Sequence, residues 1–440
     1  MGDNSRTAIV KKNIIASFFI KGCSIIISLL LVPLTLDYIS SELYGIWLTL
    51  SSIVLWLNFF DIGFTLGLKN KLAEAIALKK WEYGKSLVST TYFVMLLVFI
   101  PLCLLGIVLI PLIDWPTLLN VSSVYRIEIN KALYVLLICF CAQMIVNVLA
   151  TVVTACQKVA LASLFPVLGN FLSLVVIYLL IQYSQSSLYI LALSISLMPV
   201  IVLIIASFVL YRRKLRLISP SIPSINKVYI KELWGLGSKF FFMQIQVIVL
   251  YQCTNFLISN ISGPESVTSY NIAYKYLGVA MMIYTIILSP LWPAFTDAFV
   301  RKDYSWMKNV YRKMTLIYVI SVVILLFMIL VAPYVYDLWI GKKANVSWGM
   351  TLAVAIYMMI HSWDTLQVQL INGIGTIKLQ TYVTFIGLIL HIPLSVFLGK
   401  YIGDIGVVCS MILINILYSL IFTIQIRKIL NKKASGIWME

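Results

Sequence analysis

Residues Tyr211 to Leu233 read YRRKLRLISPSIPSINKVYIKEL. Arg212, Arg213, Lys214, Arg216, Lys227 and Lys231 stand there against one acid, Glu232. Apolar runs press on this stretch from both sides, and it lies almost at the midpoint of a 440-residue chain. It reads as a cytoplasmic linker, 211–233, joining two similar membrane halves, an N-terminal six-helix bundle at 1–210 and a C-terminal one at 234–440.

Composition supports that division. The chain is 61% hydrophobic, with mean hydropathy +0.99, where a soluble domain is nearer half apolar. Crossing about 30 Å of hydrocarbon takes roughly 20 mostly apolar residues. Outward from the linker such runs fall at 188–210, 160–183, 131–154, 87–113, 43–66 and 14–36 on one side. On the other they fall at 234–259, 267–292, 314–334, 349–371, 379–399 and 404–426. The expected fold class is an all-α integral membrane protein of about 12 transmembrane helices in two pseudo-symmetric bundles. The central linker is the longest polar segment, which leaves no room for a soluble catalytic domain, and the chain reads as not an enzyme. The run from Ile14 to Leu36 is too long for a signal-peptide core.

The net charge of +17 would suggest nucleic acid in a soluble protein. Here it follows topology. The segments 1–13, 67–86, 155–159, 211–233, 293–313, 372–378 and 427–440 hold about 25 of the 33 Lys and Arg, and positive loops stay in the cytoplasm. The opposite loops hold only Arg126, Lys131, Lys342, Lys343 and Lys400. Both termini are therefore expected inside, and no nucleic-acid partner is needed. The seven cysteines all fall in apolar runs without disulfide or metal-ligand spacing, and no metal site is expected.

Three cations remain inside spans: Lys21, Lys239 and Lys275. A cation at the bilayer centre costs at least about 2.5–3.5 kcal/mol and usually faces a water-filled cavity or a partner. Lys21 lies roughly 12 Å into its span at 1.5 Å per residue. Lys239 holds a similar place 218 positions later. Two readings stand: side chains reaching back to the headgroups, or a cationic lumen for an anionic substrate. Asp61, before Ile62-Gly63, is either a cap or helix-contact residue, beside the small pair Gly63 and Gly67, or a coupling site. In the tenth span His361 and Asp364 share a helical face with Thr365. They form either a proton-holding pair or a structural one. Gln244, Gln252 and Asn255 of the seventh span could hydrogen-bond sugar hydroxyls or neighbouring helices. His391 stands alone and reads as packing. Prolines recur within spans, among them Pro33, Pro101, Pro166, Pro199, Pro333 and Pro393, as bendable helices would need.

Four short stretches carry a resemblance. They are Pro33-Leu34 with Tyr44-Gly45-Ile46-Trp47; Asp61-Ile62-Gly63 running to Asn70; Tyr270-Asn271-Ile272-Ala273-Tyr274-Lys275; and Pro290-Leu291-Trp292-Pro293-Ala294-Phe295-Thr296-Asp297-Ala298. With the twelve-span count, the chain resembles the polysaccharide flippases, the O-antigen and capsule lipid-linked oligosaccharide translocases of the MATE-like MOP exporter superfamily. The resemblance implies two six-helix bundles across a central cavity. It implies a polyprenyl-diphosphate-linked oligosaccharide moved to the outer leaflet of the bacterial inner membrane. It also implies alternating access driven by an ion gradient or membrane potential. No cofactor is implied beyond a coupling proton or sodium ion. Partners would be the lipid-linked substrate, membrane lipids, a polysaccharide polymerase and a chain-length regulator. The family's lumen is typically cationic, in agreement with Lys21, Lys239 and Lys275. A cation-coupled drug exporter of the same fold is the alternative, but it should favour acids in its lumen. A membrane-bound polymerase should show a long outer loop with clustered catalytic residues. The outer stretches near 114–130 and 335–348 are short, and Asp114, Glu128 and Asp337 do not cluster there.

Overall fold

A computed structural model describes residues 3–439 except 62, 157, 232, 234–252, 289–290, 292–294, 296–297 and 300. For 3–18, 58–60, 66 and 77 it describes the backbone only. The described residues are helical, with no strand among them. They form two compact units, Met1–Ile248 and Val249–Glu440.

The first unit contains α1 (Asp3–Tyr38), α2 (Ser41–Leu55), α3 (Phe64–Ala77), α4 (Trp81–Leu109) and the short α5 (Trp115–Leu119). It continues with α6 (Arg126–Val146), α7 (Val148–Ala155), α8 (Val159–Tyr183) and α9 (Leu188–Arg212). Helix α1 packs along α8, α6 along α9, and α8 on α9. Where α8 meets α9, Gly169 lies against Pro199, and a Cβ there would come within 2.7 Å of the proline Cα. Ser173 Oγ donates to the Ser194 carbonyl at 3.1 Å across the same contact.

The second unit contains helical residues 253–262, then α10 (Pro264–Leu288), α11 (Tyr304–Trp339), α12 (Trp348–Ile374), α13 (Lys378–Ile402) and α14 (Asp404–Leu430). Helix α14 packs on both α12 and α13, and α12 also meets α10 and α11. Its core joins Tyr284, Leu288, Phe295, Leu366, Leu370 and Phe422. Serines and aspartate mark helix starts by accepting a backbone N–H three residues on. Ser347 accepts from Met350 at 3.1 Å, and Asp303 from Trp306 at 3.0 Å.

Among the described residues nine helices are long and apolar enough to cross a membrane. Their outer faces stay apolar: Leu316, Val323, Phe327 and Leu330 of α11 are all exposed, a surface suited to lipid rather than water. The expected spans and the observed helices coincide at 87–113, 160–183, 188–210, 314–334, 379–399 and 404–426 to within their ends, and 131–154 is covered by α6 and α7, which part at Asn147. The expected span 234–259 falls mostly outside the described residues.

The expected span 43–66 is not continuous. Helix α2 stops at Leu55 and is followed by a 3₁₀ segment, Trp56–Asp61. Gly63 then takes φ 77°, in the left-handed region open to glycine, and caps α3. The 15 residues of α2 reach only about 22 Å, short of the hydrocarbon thickness. Gly63 therefore serves a turn rather than a helix contact. Gly67 does make room for a close approach: a Cβ there would collide with the Leu233 backbone carbonyl.

The polar stretch after α9 lies against the first unit. Ser221 N–H donates to Ser89 Oγ at 3.0 Å. Asn226 N–H donates to Thr90 Oγ1 at 3.1 Å, and that hydroxyl lies 3.3 Å from the Asn226 carbonyl it donates to. The rings of Tyr83 and Tyr229 meet edge to face, and Leu215 and Ile218 are buried. The segment 211–233 is thus seated along α4, with its cations exposed at Arg212, Arg213, Lys214, Arg216, Lys227 and Lys231.

Candidate functional site

A set of polar groups of the second unit meets at α12. This helix is 27 residues long, yet it is absent from the apolar crossing helices, because Tyr357, His361, Asp364 and Gln367 interrupt its hydrophobic run. It begins at the Ser347 cap and ends at Gly375, whose φ of 89° breaks the helix.

His361 stacks on Tyr357 at 5.3 Å between centroids and 12° between planes. Its Nδ1 lies 3.2 Å from Asn415 Oδ1 on α14. The Asn415 amide nitrogen is committed to the Met411 carbonyl at 2.8 Å. The oxygen therefore faces the ring, and Nδ1 must be the protonated donor. One turn further, Asp364 is 3% exposed and accepts from Ser419 Oγ at 2.6 Å through Oδ1. Its Oδ2 is buried with no hydrogen-bond partner among the described residues. Gln367, wholly buried, donates to the Tyr311 hydroxyl at 3.3 Å, and its Oε1 has no partner among the described residues. Trp363 Nε1 donates to Thr423 at 2.8 Å.

Each member of the expected His361–Asp364 pair thus has its own hydrogen-bonding residue on α14. A carboxylate oxygen left bare inside a membrane helix bundle is costly. A carboxylate in this setting can hold a proton or a small cation, with the Ser419 hydroxyl as the neighbouring oxygen. Among the described residues no group of three or more His, Cys, Asp or Glu is placed to hold a metal.

The other sequence candidates divide between the units. Asn255 accepts from Asn271 Nδ2 at 2.8 Å, a bond between neighbouring helical segments. Lys275 sits one turn beyond Asn271 on α10 and is half-buried. Tyr274, its neighbour, stacks at 6.5 Å on Tyr357, so α10 and α12 share the polar seam. Lys239, Gln244 and Gln252 lie outside the described residues. In the first unit Lys21 is exposed on α1. Asp61 is 5% exposed and holds both Thr65 N–H, at 3.3 Å, and Thr65 Oγ1, at 2.6 Å. Its oxygens tie down the start of α3. His391 is buried between α13 and α14, with Nδ1 3.0 Å from Ser410 Oγ.

Sequence reasoning named Asn271 only as part of a family-like stretch and missed Tyr311, Asn415 and Ser419. The last two are four residues apart in an apolar run, which puts them on one helical face. That spacing was the available signal.

Residues 10–299 match a family model described as "Polysaccharide biosynthesis protein". The chain is 21% identical over 405 residues to a Salmonella typhi protein named "Putative O-antigen transporter", covering 88% of each. Two solved structures share its fold. An inward-facing multidrug resistance MATE family transporter of the MOP superfamily gives a TM-score of 0.79 at 14% identity, over 96% of this chain and 100% of that one. The lipid II flippase MurJ, in an inward closed conformation, gives 0.68 at 15% identity, over 94% and 87%. At these identities the likeness is one of fold.

Proposed function

Because the chain belongs to the polysaccharide biosynthesis protein family and is a multi-pass membrane protein, we propose that it is a flippase for a lipid-linked oligosaccharide. The observation that carries this reading is the family match together with the likeness, over most of both chains, to a protein named as an O-antigen transporter. The substrate is a polyprenyl-diphosphate-linked repeat unit of O-antigen or capsule. It passes from the cytoplasmic to the outer leaflet of the bacterial inner membrane, with both termini of the protein in the cytoplasm. The protein is built as six-helix bundles 1–210 and 234–440 joined by 211–233, and it works by alternating access. Lys21, Lys239 and Lys275 draw the diphosphate, and Gln244, Gln252 and Asn255 meet sugar hydroxyls. A proton or sodium ion held at Asp364, with His361 beside it, or at Asp61, supplies the drive. The bare, buried Oδ2 of Asp364 favours Asp364 over Asp61, whose two oxygens are both engaged by Thr65. A polysaccharide polymerase and chain-length regulator act on the product.

A deletion strain tests this. Its lipid-linked oligosaccharide is probed in intact spheroplasts with an impermeant sugar oxidant or lectin. Material protected until lysis, and exposed again on complementation, is the expected result. Material already accessible without the protein would overturn the reading and leave the drug exporter of the same fold as the reading to test.

A further inference from the structure

The first turns of α11 and the last turn of α14 enclose a cleft of about 550 Å³, lined by Lys308, Asn309, Tyr311, Arg312, Arg427 and Asn431 among others. Lys308 and Arg312 stand four residues apart on one face of α11. Arg427 faces them from α14. Among the described residues no carboxylate lines the cleft, and none of the three cations forms an ion pair there. Other cations at this end are engaged differently. Lys428 Nζ lies 3.8 Å from the centre of the Trp438 ring, and Lys432 Nζ 4.8 Å from that of Tyr304. Those contacts, with Gln425 Nε2 donating to the Trp438 carbonyl at 3.3 Å, fold the C-terminal segment back and fix the wall that carries Asn431.

Tyr311, which lines the cleft with Arg427, accepts through its hydroxyl from Gln367 of α12. The cleft thus presents two guanidinium groups, an ammonium and two amides to a single space. Three like charges gathered without an acid are favourable only when an anion joins them. Planar forked donors are the groups that match phosphate oxygens in pairs. The volume is within the range of small-ligand pockets. The cleft opens at the basic end of the helices, which the charge bias assigns to the cytoplasm, at headgroup depth. Basic pockets between helices at that depth bind lipid headgroups.

We propose that this cleft binds a phosphate ester carried on a membrane lipid, at the cytoplasmic face of the second unit. The ester is the headgroup of an anionic phospholipid or the diphosphate of a polyprenyl carrier. The site is distinct from the span lysines; its phospholipid form stands without the transport reading, and its polyprenyl-carrier form rests on it.

The test uses the full-length protein in phosphatidylcholine nanodiscs, titrated with diphosphatidylglycerol or undecaprenyl diphosphate and read by native mass spectrometry. Arg312→Gln/Arg427→Gln should weaken binding about 10- to 30-fold, as expected for two headgroup cations at about 1 kcal/mol each. Lys342→Gln/Lys343→Gln removes two charges beyond the other end of α11 and should leave binding unchanged. Arg312→Lys/Arg427→Lys keeps the charge but loses the paired geometry and should bind more weakly than the wild type and more tightly than the double Gln variant. That variant and Lys308→Gln, expected to weaken binding, keep the test decisive if the double Gln variant does not fold. Equal binding by all variants, or equal loss in the Lys342/Lys343 control, would overturn the site. Preference for undecaprenyl diphosphate assigns the carrier, and preference for diphosphatidylglycerol assigns a phospholipid. Displacement of both by equimolar inorganic diphosphate would overturn the lipid-borne part. The spheroplast assay can fail while this binding persists, so the two readings fall separately.

Discussion

Asp364 on α12 and Ser419 on α14 face each other across a helix contact, with the serine hydroxyl donating to one carboxylate oxygen at 2.6 Å. The other oxygen is buried and has no hydrogen-bond partner among the described residues. One half of the side chain therefore serves the helix contact, and the other half is the one the proposed coupling ion would use.

Substitutions separate those halves. Asp364→Asn keeps an acceptor for Ser419 and removes the charge. The folded protein should be recovered in normal yield, while transport in the spheroplast assay falls at least about tenfold, equivalent to ~1.4 kcal/mol on the limiting step. Ser419→Ala removes the hydrogen bond and should cost about 0.6–1.7 kcal/mol in membrane-protein unfolding. Wild-type transport by Asp364→Asn would reduce the residue to a packing role.

Asp61 offers the contrasting case, with both oxygens engaged at Thr65. Asp61→Asn should hold most of the stability and of the transport, because one acceptor remains to tie the start of α3. Asp61→Ala should lose about 0.5–2 kcal/mol, the cost of a removed cap, measured by thermal unfolding in detergent. Loss of transport in Asp61→Asn without loss of stability would instead make Asp61 a coupling residue.

The seating of 211–233 on α4 also has a measurable strength. Thr90 is wholly buried and serves Asn226 through both its N–H and its carbonyl. Thr90→Val preserves the shape and removes both bonds, about 0.5–1.5 kcal/mol each. Trypsin acting on sealed inside-out vesicles should then cut at Arg212 to Lys231 about 5- to 160-fold faster, following the population of the open segment. An unchanged cutting rate would show that the buried Leu215 and Ile218 hold the segment without these bonds.

Much of this architecture is written in the sequence, for a simple reason. A bilayer demands a long apolar run for every crossing helix and leaves basic residues in the loops, so α4, α8, α9, α11, α13 and α14 can be read directly. The break after Leu55 is hidden because Trp56-Leu57-Asn58-Phe59-Phe60 is nearly as apolar as the helix before it. What ends α2 is a local agreement between Gly63, in a left-handed turn, and Asp61 with Thr65. The site is legible by half. His361 and Asp364 stand out as polar residues in an apolar run, but their hydrogen-bonding residues are 54 and 55 positions away. Helical periodicity says which residues share a face, not which helix that face meets. The same holds for Arg312 and Arg427, which read as separate cytoplasmic charges until α11 and α14 are placed side by side.

The span lysines give the last prediction. Lys21, Lys239 and Lys275 fall on three different spans, and Lys275 is half-buried beside the Tyr274–Tyr357 stack. An ammonium ion binds phosphate as a compact charge without paired geometry. If these cations attract a diphosphate together, their contributions are electrostatic and shared. Single Gln substitutions should then lower transport only a few-fold, about 3–10 each for ~1 kcal/mol of lost attraction. The triple substitution should abolish transport while the protein still folds and inserts. Three arginines in their place should restore it, because charge is the property required. Full activity in the triple Gln protein would remove the cationic path. Failure of the arginine variant with normal folding would show that the size of the lysine side chain, rather than its charge, is what these positions require.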